Sequence, residues 1–266
     1  MTSQQLKLTV FFISIVLLAG TELFGAEENA RKALFEATRN LVKMSRDSGY
    51  SAEIFVVGGL TESGDHRVDR PNISLRCSAD VRGPLMHLPE FFAYIHGDKG
   101  AIEAEGNWKN IRSTRKGRAI QGLVDVPTEI LIDSLKKGSR VEWKEAGKVI
   151  QVTLAPRRSR ALFSEMNNSG CMRLSDLLYT RTEQRIDGSN SHGVVEVTLD
   201  ESGSLPQSIE FRLLAAFRND QGRSAKGMLA FENGVRHVAF RCVYRLDTTV
   251  AVGQMRLSRD LVKLLK

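Results

Sequence analysis

Residues 207–218, QSIEFRLLAAFR, and residues 235–247, VRHVAFRCVYRLD, decide the fold of this chain. In both stretches apolar side chains recur at about every second position, which predicts β-strands with one face in the core and one in water. Each stretch would span roughly 40 Å at about 3.3 Å per residue, whereas an ordinary strand has about five or six residues. Strands of this length in a sheet with one dry face must curl around other elements.

The same alternation predicts further strands along the chain, which together make an antiparallel meander. Short strands are predicted over 141–145 and 148–154, and residues 97–100 form a turn that returns the run 91–96 as a hairpin. Asn233-Gly234 predicts a type I′ turn, because both central residues of that turn need positive φ. The apolar positions of the other predicted strands are Tyr50, Ala52, Ile54 and Val56; Ile73, Leu75, Cys77, Ala79 and Val81; Ile102, Ala104, Gly106 and Trp108; and Val195, Val197 and Leu199.

Two helices are predicted to cover the dry face of this sheet. Apolar residues at spacings of three and four, from Ala30 to Met44, predict an amphipathic helix that Gly49 would end. Pro127 begins a short helix in the middle of the chain, which Gly138 would end. The sequence therefore predicts an α+β protein in which a long, curved antiparallel sheet is wrapped on an N-terminal amphipathic helix and a short mid-chain helix.

Three other stretches give weaker signals. The basic stretch 112–118 has little periodicity and is interpreted as an irregular connection. Residues 156–190 are rich in arginine and serine and receive no assignment, apart from a helical turn near 161–166. The stretch 257–265 is a further candidate to cover the sheet. A strongly curved sheet covered by so few helices can enclose an apolar hollow, a site that suits a lipid tail.

The inward side chains of the long strands are the candidate ligand-binding residues. We expect the N-terminal and mid-chain helices to cover them only in part, so that an acyl chain can lie against them. The alternative is ordinary core packing that leaves no space. The residues are Val197, Phe211, Leu213, Phe231, Phe240 and Tyr244.

The N-terminal stretch 8–26, LTVFFISIVLLAGTELFGA, has the composition of an export signal. Its apolar run is shorter than the roughly 20 helical residues that cross a bilayer. The small residues Gly25 and Ala26 follow the run and precede the acidic Glu27 and Glu28, which is the order of a signal-peptide cleavage region. We therefore expect a signal peptide over 1–26 that is removed, which leaves one domain over 27–266 in a periplasmic or secreted location. An uncleaved anchor is the alternative. Thr21 stands where a lipid-attachment box requires cysteine, so no lipid anchor is expected.

The chain is basic, with a formal net charge of +7 and a pI near 9.4. Outside the cytoplasm this charge favours contact with anionic head groups, acidic glycans or cell-wall polymers rather than with nucleic acid. Two clusters of cationic side chains indicate either a patch that faces an anionic membrane or merely solvated faces. They are Arg112, Arg115, Lys116 and Arg118, and Arg157, Arg158 and Arg160.

No arrangement of residues in the sequence indicates an enzyme or a metal protein. The histidines are scattered, and no nucleophile elbow, dinucleotide fingerprint or P-loop occurs. Asp65, His66 and Asp69 are interpreted as a solvated turn. Glu103 and Glu105 share the wet face of a predicted strand, where neither carboxyl is desolvated as a general acid requires. We expect no metal, no cofactor and no catalysis.

The three cysteines do not form a disulfide framework, because a chain of this length can bury a core without one. Cys77 and Cys242 each share a strand face with apolar residues, whereas Cys171 lies in the unassigned segment. We expect two buried thiols rather than a bridge, which would need Cα atoms within about 7 Å.

The order of elements from Glu27 to about Thr248 resembles the LolA/LolB superfamily of periplasmic lipoprotein carriers and their mycobacterial LppX-like relatives. The shared order is a signal peptide, an amphipathic helix, an antiparallel meander, a mid-chain helix and long terminal strands. The resemblance implies an unclosed β-barrel with helices as a lid, and a non-catalytic role in which the hollow receives the acyl chains of a lipid or lipoprotein. The alternative is an envelope adaptor that binds a protein or an acidic polymer through its basic surface, with no internal ligand.

Overall fold

The computed structural model describes residues 26–61, 66–97, 99–136, 139–168, 185–218 and 235–266. The expectations for the leader, for the turn at Asn233-Gly234, and for Cys171 and Phe231 fall outside these ranges. Within the part of the chain that the structure describes, no helix combines the length and apolar character needed to cross a bilayer.

Eleven strands and five α-helices are found in the described residues. The strands are β1 Tyr50–Thr61, β2 Arg70–Arg82, β3 Leu85–Leu88, β4 Ala93–His96, β5 Lys99–Ala104, β6 Asn107–Asn110, β7 Arg140–Glu145, β8 Val149–Leu154, β9 Arg185–Leu199, β10 Pro206–Arg218 and β11 Val235–Asp247. The helices are α1 over 26–47, α2 Arg115–Leu123, α3 Pro127–Ser134, α4 Pro156–Asn168 and α5 Arg259–Leu265. Single turns of 3-10 helix lie at Pro89–Phe91 and Ile111–Ser113.

All eleven strands belong to one antiparallel sheet, in the order β6-β5-β4-β3-β2-β1-β11-β10-β9-β8-β7. The first and last strands, β1 and β11, are therefore paired in its middle, with Ser51 opposite Asp247. The edge strands β6 and β7 do not pair with each other in the described residues, so the sheet is not closed into a barrel. The α+β class and the long strands are confirmed, since β10 and β11 have 13 residues each.

Alternate side chains on one face of the sheet meet in a single hydrophobic core. A flat sheet of this many strands would be roughly 50 Å wide at about 4.8 Å per strand, too wide for distant strands to share one cluster. The sheet is therefore curled, with the core on its concave face. The buried members include Tyr50, Ile54, Val56, Ala79, Val81, Ile150, Val152, Val195, Val197, Ile209, Leu213, Phe240 and Tyr244.

Helix α1 covers one part of the concave face, as predicted. Its apolar stripe is fully buried and consists of Ala30, Leu34, Ala37 and Leu41. Arg31 fixes the helix laterally, because its Nη2 donates a hydrogen bond of 2.7 Å to the carbonyl oxygen of Ser139. The chain leaves the helix at Gly49, whose φ of 72° is readily adopted only by glycine.

The predicted strand over 102–108 is wrong, because this stretch is a hairpin. Strands β5 and β6 are joined by a two-residue turn at Glu105 and Gly106, with φ values of 59° and 75°. Positive φ at both positions is what a type I′ turn requires. The reversal places Trp108 opposite Glu103 and therefore on the other face from Ile102. Trp108 thus packs on the convex face and not in the core.

The C-terminal helix α5 also packs on the convex face. Leu261 and Leu265 are buried in a second, smaller cluster around Ala101 of β5, with Trp108 at its margin. Ser258 caps the helix, since its Oγ accepts a hydrogen bond of 3.2 Å from the Leu261 nitrogen. The stretch 257–265 therefore contains a helix, but this helix does not fill the concave face.

Three further elements differ from the sequence interpretation. Strand β3 was not predicted, and it follows a turn in which Gly83 has a φ of 58°. Helix α2 lies in the stretch interpreted as an irregular connection, and its cap is Thr114, whose Oγ1 accepts from the Gly117 nitrogen at 2.9 Å. Helix α4 is longer than the single turn expected near 161–166.

Cys77 and Cys242 are buried free thiols, as predicted. Strand β1 runs between them, with Ile54 opposite Cys77 and Val56 opposite Cys242. Two strand spacings of about 4.8 Å already exceed the Cα separation of about 7 Å that a disulfide allows. Burial raises the pKa of both thiols to about 12, so they stay protonated and unreactive at neutral pH.

Candidate ligand-binding cavity

A cavity of about 810 Å³ lies between the concave face of the sheet and helices α2, α3 and α4. Strand side chains form its floor, and its walls come from the three helices and from the link between α2 and α3. Cavities of roughly 300–1,000 Å³ are typical of small-molecule sites. The floor residues are Ile95, Leu154, Val195, Phe211, Phe240, Cys242 and Tyr244.

An aromatic pair on adjacent strands forms part of the floor. Phe211 of β10 and Phe240 of β11 lie edge to face, with ring centroids 6.3 Å apart and planes at 64°. Phe240 is only 2% exposed, whereas Phe211 is half-buried and keeps part of its ring accessible. The floor therefore offers an apolar surface to a ligand.

Three of the six side chains expected from the sequence line this cavity: Phe211, Phe240 and Tyr244. Val197 and Leu213 lie on the same face but are fully buried in the core and are not part of the lining. Helix α4 covers Leu213, because a Cβ on Gly193 of β9 would meet Leu213 Cδ2 at 3.0 Å and Ser159 Oγ at 3.1 Å. Phe231 falls outside the described residues.

Glycine allows helix α2 to pack closely against the 3-10 turn that precedes it. A Cβ at Gly117 would come within 2.1 Å of the carbonyl oxygen of Ile111, so only glycine fits where α2 crosses the preceding 3-10 turn. The contact places Arg118 and Gln121 of α2 in the cavity wall. Ile111 itself is buried in the core, which anchors the wall to the sheet.

Helix α3 forms another part of the wall. Pro127 occupies its first turn, where the missing N–H removes no helical hydrogen bond. Thr128 and Leu131 are buried, while Ile130 is half-buried and lines the cavity. Ile132, on the other side of the same helix, is 46% exposed.

Tyr244 connects the floor to the wall. Its hydroxyl accepts a hydrogen bond of 3.0 Å from the backbone nitrogen of Asp125, in the link between α2 and α3, and lies beside the thiol of Cys242. Burial, assisted by the neighbouring thiol, raises the pKa of Tyr244 well above its ordinary value. The hydroxyl therefore stays neutral at physiological pH, and its hydrogen bond holds the link between α2 and α3 against strand β11.

Charged side chains surround the cavity on its helical side. Asp133 of α3 is ion-paired with Arg158 of α4 and with Lys136, which ties the two helices together. The Nη1 of Arg118 donates to the carbonyl oxygen of Arg112 at 2.7 Å, which holds these two arginines side by side. The charged lining consists of Arg112, Arg118, Arg158, Asp125, Glu129 and Asp133.

The two basic clusters of the sequence meet at this cavity. Arg112 and Arg118 come from the first cluster and Arg158 from the second, and all three line the same space. Sequence reasoning treated the clusters as surface features. Their convergence depends on the packing of α2 against α4, for which the sequence carries no local signal.

The residues that were weighed for catalysis or metal binding lie elsewhere. Glu103 and Glu105 are exposed, and a hydrogen bond from Lys109 lowers the pKa of Glu105, the opposite of what a general acid needs. Asp69 faces Arg67 at 3.6 Å, and Asp65 is outside the described residues. Where the structure is described, no group of three or more His, Cys, Asp or Glu could hold a metal ion.

Comparisons with known proteins assign no family to this chain. No family model matches, and no curated protein matches. A solved LolA superfamily protein from Nitrosomonas europaea aligns with a TM-score of 0.27 and 10% identity, over 82% of this chain and 93% of that chain. A structure of lipid–protein interactions in lipovitellin aligns with a TM-score of 0.30 and 9% identity, over 80% of this chain but only 26% of that chain. Overlaps this loose carry no functional information, so the cavity itself is the basis for a function.

Proposed function

We propose that the protein is an exported, non-catalytic binder that holds one apolar chain of a lipid or of a lipidated partner in the cavity. The main support is the combination of about 810 Å³ of space with a floor of apolar and aromatic side chains. Each methylene that leaves water for such a site contributes about 0.8 kcal/mol, so about ten methylenes contribute roughly 8 kcal/mol before ordering costs.

The chemistry of the lining supports binding rather than reaction. Cys242 and Tyr244 are the thiol and the phenol of the floor, and both have a raised pKa. Neither is therefore a nucleophile or a base at neutral pH. Asp133 of the wall is occupied by ion pairs with Arg158 and Lys136.

The native ligand can be sought directly in the purified protein. Native mass spectrometry should detect added mass that organic extraction removes, and delipidated protein should take up cis-parinaric acid saturably. A protein without extractable lipid that also takes up no fatty acid would overturn the proposal in favour of the adaptor alternative.

Two substitutions on one helix test whether the ligand occupies this cavity. Ile130→Trp places a larger side chain in the lining and should lower the affinity for cis-parinaric acid several-fold. Ile132→Trp is the matched control, because Ile132 is exposed on the same helix and should leave the affinity unchanged. Equal affinities in the two variants would contradict binding at this site.

Export and contact with an anionic membrane complete the proposal. The expected leader 1–26 would carry the chain out of the cytoplasm. Arg157 and Arg160 are exposed on α4 and are close in sequence to the cavity residue Arg158, so α4 presents cationic side chains that anionic lipid head groups can contact. Arg157→Gln with Arg160→Gln should weaken sedimentation with phosphatidylglycerol vesicles and leave neutral phosphatidylcholine vesicles unaffected. Unchanged sedimentation would remove the membrane contact from the proposal.

A further inference from the structure

The helical side of the molecule, formed by α1 to α4 over the concave face of the sheet, carries exposed apolar side chains as well as cationic ones. We infer that this side docks on an anionic bilayer, with Phe35 of α1 and Ile132 of α3 inserted at the boundary between head groups and acyl chains. The inference rests on the proposed function and deepens it, because it names the surface that contacts the membrane.

Two of the large apolar side chains that are exposed in the described residues lie on these helices. Phe35 is 55% exposed on α1, and Ile132 is 46% exposed on α3. The core side of each helix uses other residues, such as Leu34 and Leu131, which are fully buried. Phe35 and Ile132 therefore do not fill the core, and their apolar area leaves water only when a partner covers it.

Phe35 and Ile132 lie near one contact between α1 and α3. Arg31 of α1 donates from Nη1 to the carbonyl oxygen of Leu135, the C-cap of α3, at 3.5 Å. Phe35 follows Arg31 by four residues and Ile132 precedes Leu135 by three, so each shares a helix side with a residue of this contact. At about 1.5 Å of rise per residue, each lies within about 6 Å of the contact along its own helix. The two exposed side chains therefore belong to one surface, at the junction of α1 and α3.

The helical side has an excess of positive charge. Helices α1 to α4 contain eleven Lys and Arg residues and seven Asp and Glu residues, an excess of four in a chain whose net charge is +7. Lys32 and Arg39, three residues before and four residues after Phe35, are exposed on its side of α1. Glu28 and Glu36 are exposed carboxylates of the same helix, so most of the excess comes from α2 and α4.

Helix α4 is joined to this surface through α3. Asp133, the residue after Ile132, is ion-paired with Arg158 of α4. Arg157 and Arg160 of α4 are exposed. The apolar side chains at the junction of α1 and α3 therefore have cationic side chains on α1 and on α4 around them.

An anionic bilayer accepts both kinds of side chain. Lysine and arginine gain free energy near anionic head groups, and apolar side chains such as Phe and Ile enter the boundary below those head groups. Helices α3 and α4 also line the cavity, so docking of this side places the lipid-binding cavity next to the bilayer.

Partitioning of the purified full chain onto phosphatidylglycerol vesicles tests the inference. Phe35→Ser with Ile132→Ser should lower the partition coefficient about tenfold or more. Phe92→Ser with Val250→Ser is the matched control, because it removes an aromatic and an aliphatic side chain that are 62% and 50% exposed elsewhere, and it should leave partitioning unchanged. Both double variants should bind cis-parinaric acid in solution like the unmodified protein, which also shows that they are folded.

Fluorescence and salt dependence separate insertion from electrostatic attraction. Phe35→Trp should add emission that brominated acyl chains quench, whereas the emission added by Phe92→Trp should not be quenched. The unmodified protein supplies the background from Trp108 and Trp143. Added salt should release Phe35→Ser with Ile132→Ser more completely than the unmodified protein, because only charge attraction then holds the variant.

The inference is wrong if the unmodified protein does not partition onto these vesicles, if the two double variants partition equally, or if the added emission of Phe35→Trp is not quenched. It is also wrong if the protein forms a dimer without vesicles that Phe35→Ser with Ile132→Ser abolishes, because a second copy then covers the surface. None of these results affects the cavity. Failure of the proposed function is marked instead by the absence of cis-parinaric acid binding in the unmodified protein.

Discussion

Tyr244→Phe should destabilise the protein, whereas Tyr50→Phe should leave its stability unchanged or raise it. The two tyrosines are almost fully buried, at 1% and 0% exposure, and each substitution removes one hydroxyl while keeping the ring. The Tyr244 hydroxyl accepts from the Asp125 nitrogen at 3.0 Å. The Tyr50 hydroxyl is buried with no hydrogen-bond partner among the described residues. The same chemical change therefore removes a hydrogen bond at Tyr244 and an unsatisfied polar group at Tyr50.

The magnitude of each effect follows from these contacts. Loss of the acceptor for a buried donor costs about 1–3 kcal/mol, and the partial burial of the Asp125 bond places Tyr244→Phe near about 1–2 kcal/mol. Tyr50→Phe removes an unpaired hydroxyl whose burial costs about 1–3 kcal/mol, and the small void left behind offsets most of that gain. We expect a difference of about 2 kcal/mol between the variants, roughly 30-fold in the unfolding equilibrium constant.

Urea unfolding followed by circular dichroism measures both values, provided that the denaturant slope m is unchanged. Tyr94→Phe is a suitable control, because Tyr94 is half-buried on the convex face. Equal losses in Tyr50→Phe and Tyr244→Phe, or a larger loss in Tyr50→Phe, would refute the hydrogen-bond argument.

The free energy of unfolding should fall at high pH. The pKa of the Cys77 and Cys242 thiols is about 12 in the folded chain and 9.0 in the unfolded chain, so above pH 9 only the unfolded chain gains stability from their ionisation. Urea midpoints should therefore decline less between pH 9 and 12 in Cys242→Ala than in the unmodified protein, and parallel declines would contradict this. Gly193→Ala should cost about 1 kcal/mol or more, because the new Cβ would lie 2.9 Å and 3.0 Å from two buried leucine side chains. Gly253→Ala has open space around it and should be neutral, so equal melting temperatures would refute the close contact. N-terminal sequencing of exported protein should show that residues 1–26 are absent, and a membrane pellet that retains them would favour the anchor.

The long strands were predictable because alternation over 12 or more residues has no other simple explanation. The hairpin of β5 and β6 was not predictable, because the alternation of apolar and polar residues continues without a break through its two-residue turn. Only Gly106 marked the reversal, which sends Trp108 to the convex face. Helix α2 was missed because it is short and depends on the Thr114 cap and on the close contact of Gly117.

The candidate site was only partly predictable for a related reason. Alternation tells which side chains face the core, but it does not tell where the covering helices leave space. Leu213 and Phe211 share a face, yet α4 covers the first and the cavity exposes the second. The meeting of Arg112 and Arg158 depends entirely on tertiary packing.

The pairing of β1 with β11 has a consequence for the synthesis of the protein. The facing residues are roughly 190 positions apart along the chain, and such distant pairings form slowly. Until the ribosome has released β11, β1 has only β2 beside it, and its other edge presents unpaired backbone groups over 12 residues. An exposed strand edge of this length can pair with the edge of another chain. The strand order thus delays completion of the sheet until β11 has been synthesised, so the two halves of the sheet can join only late in the synthesis of the chain.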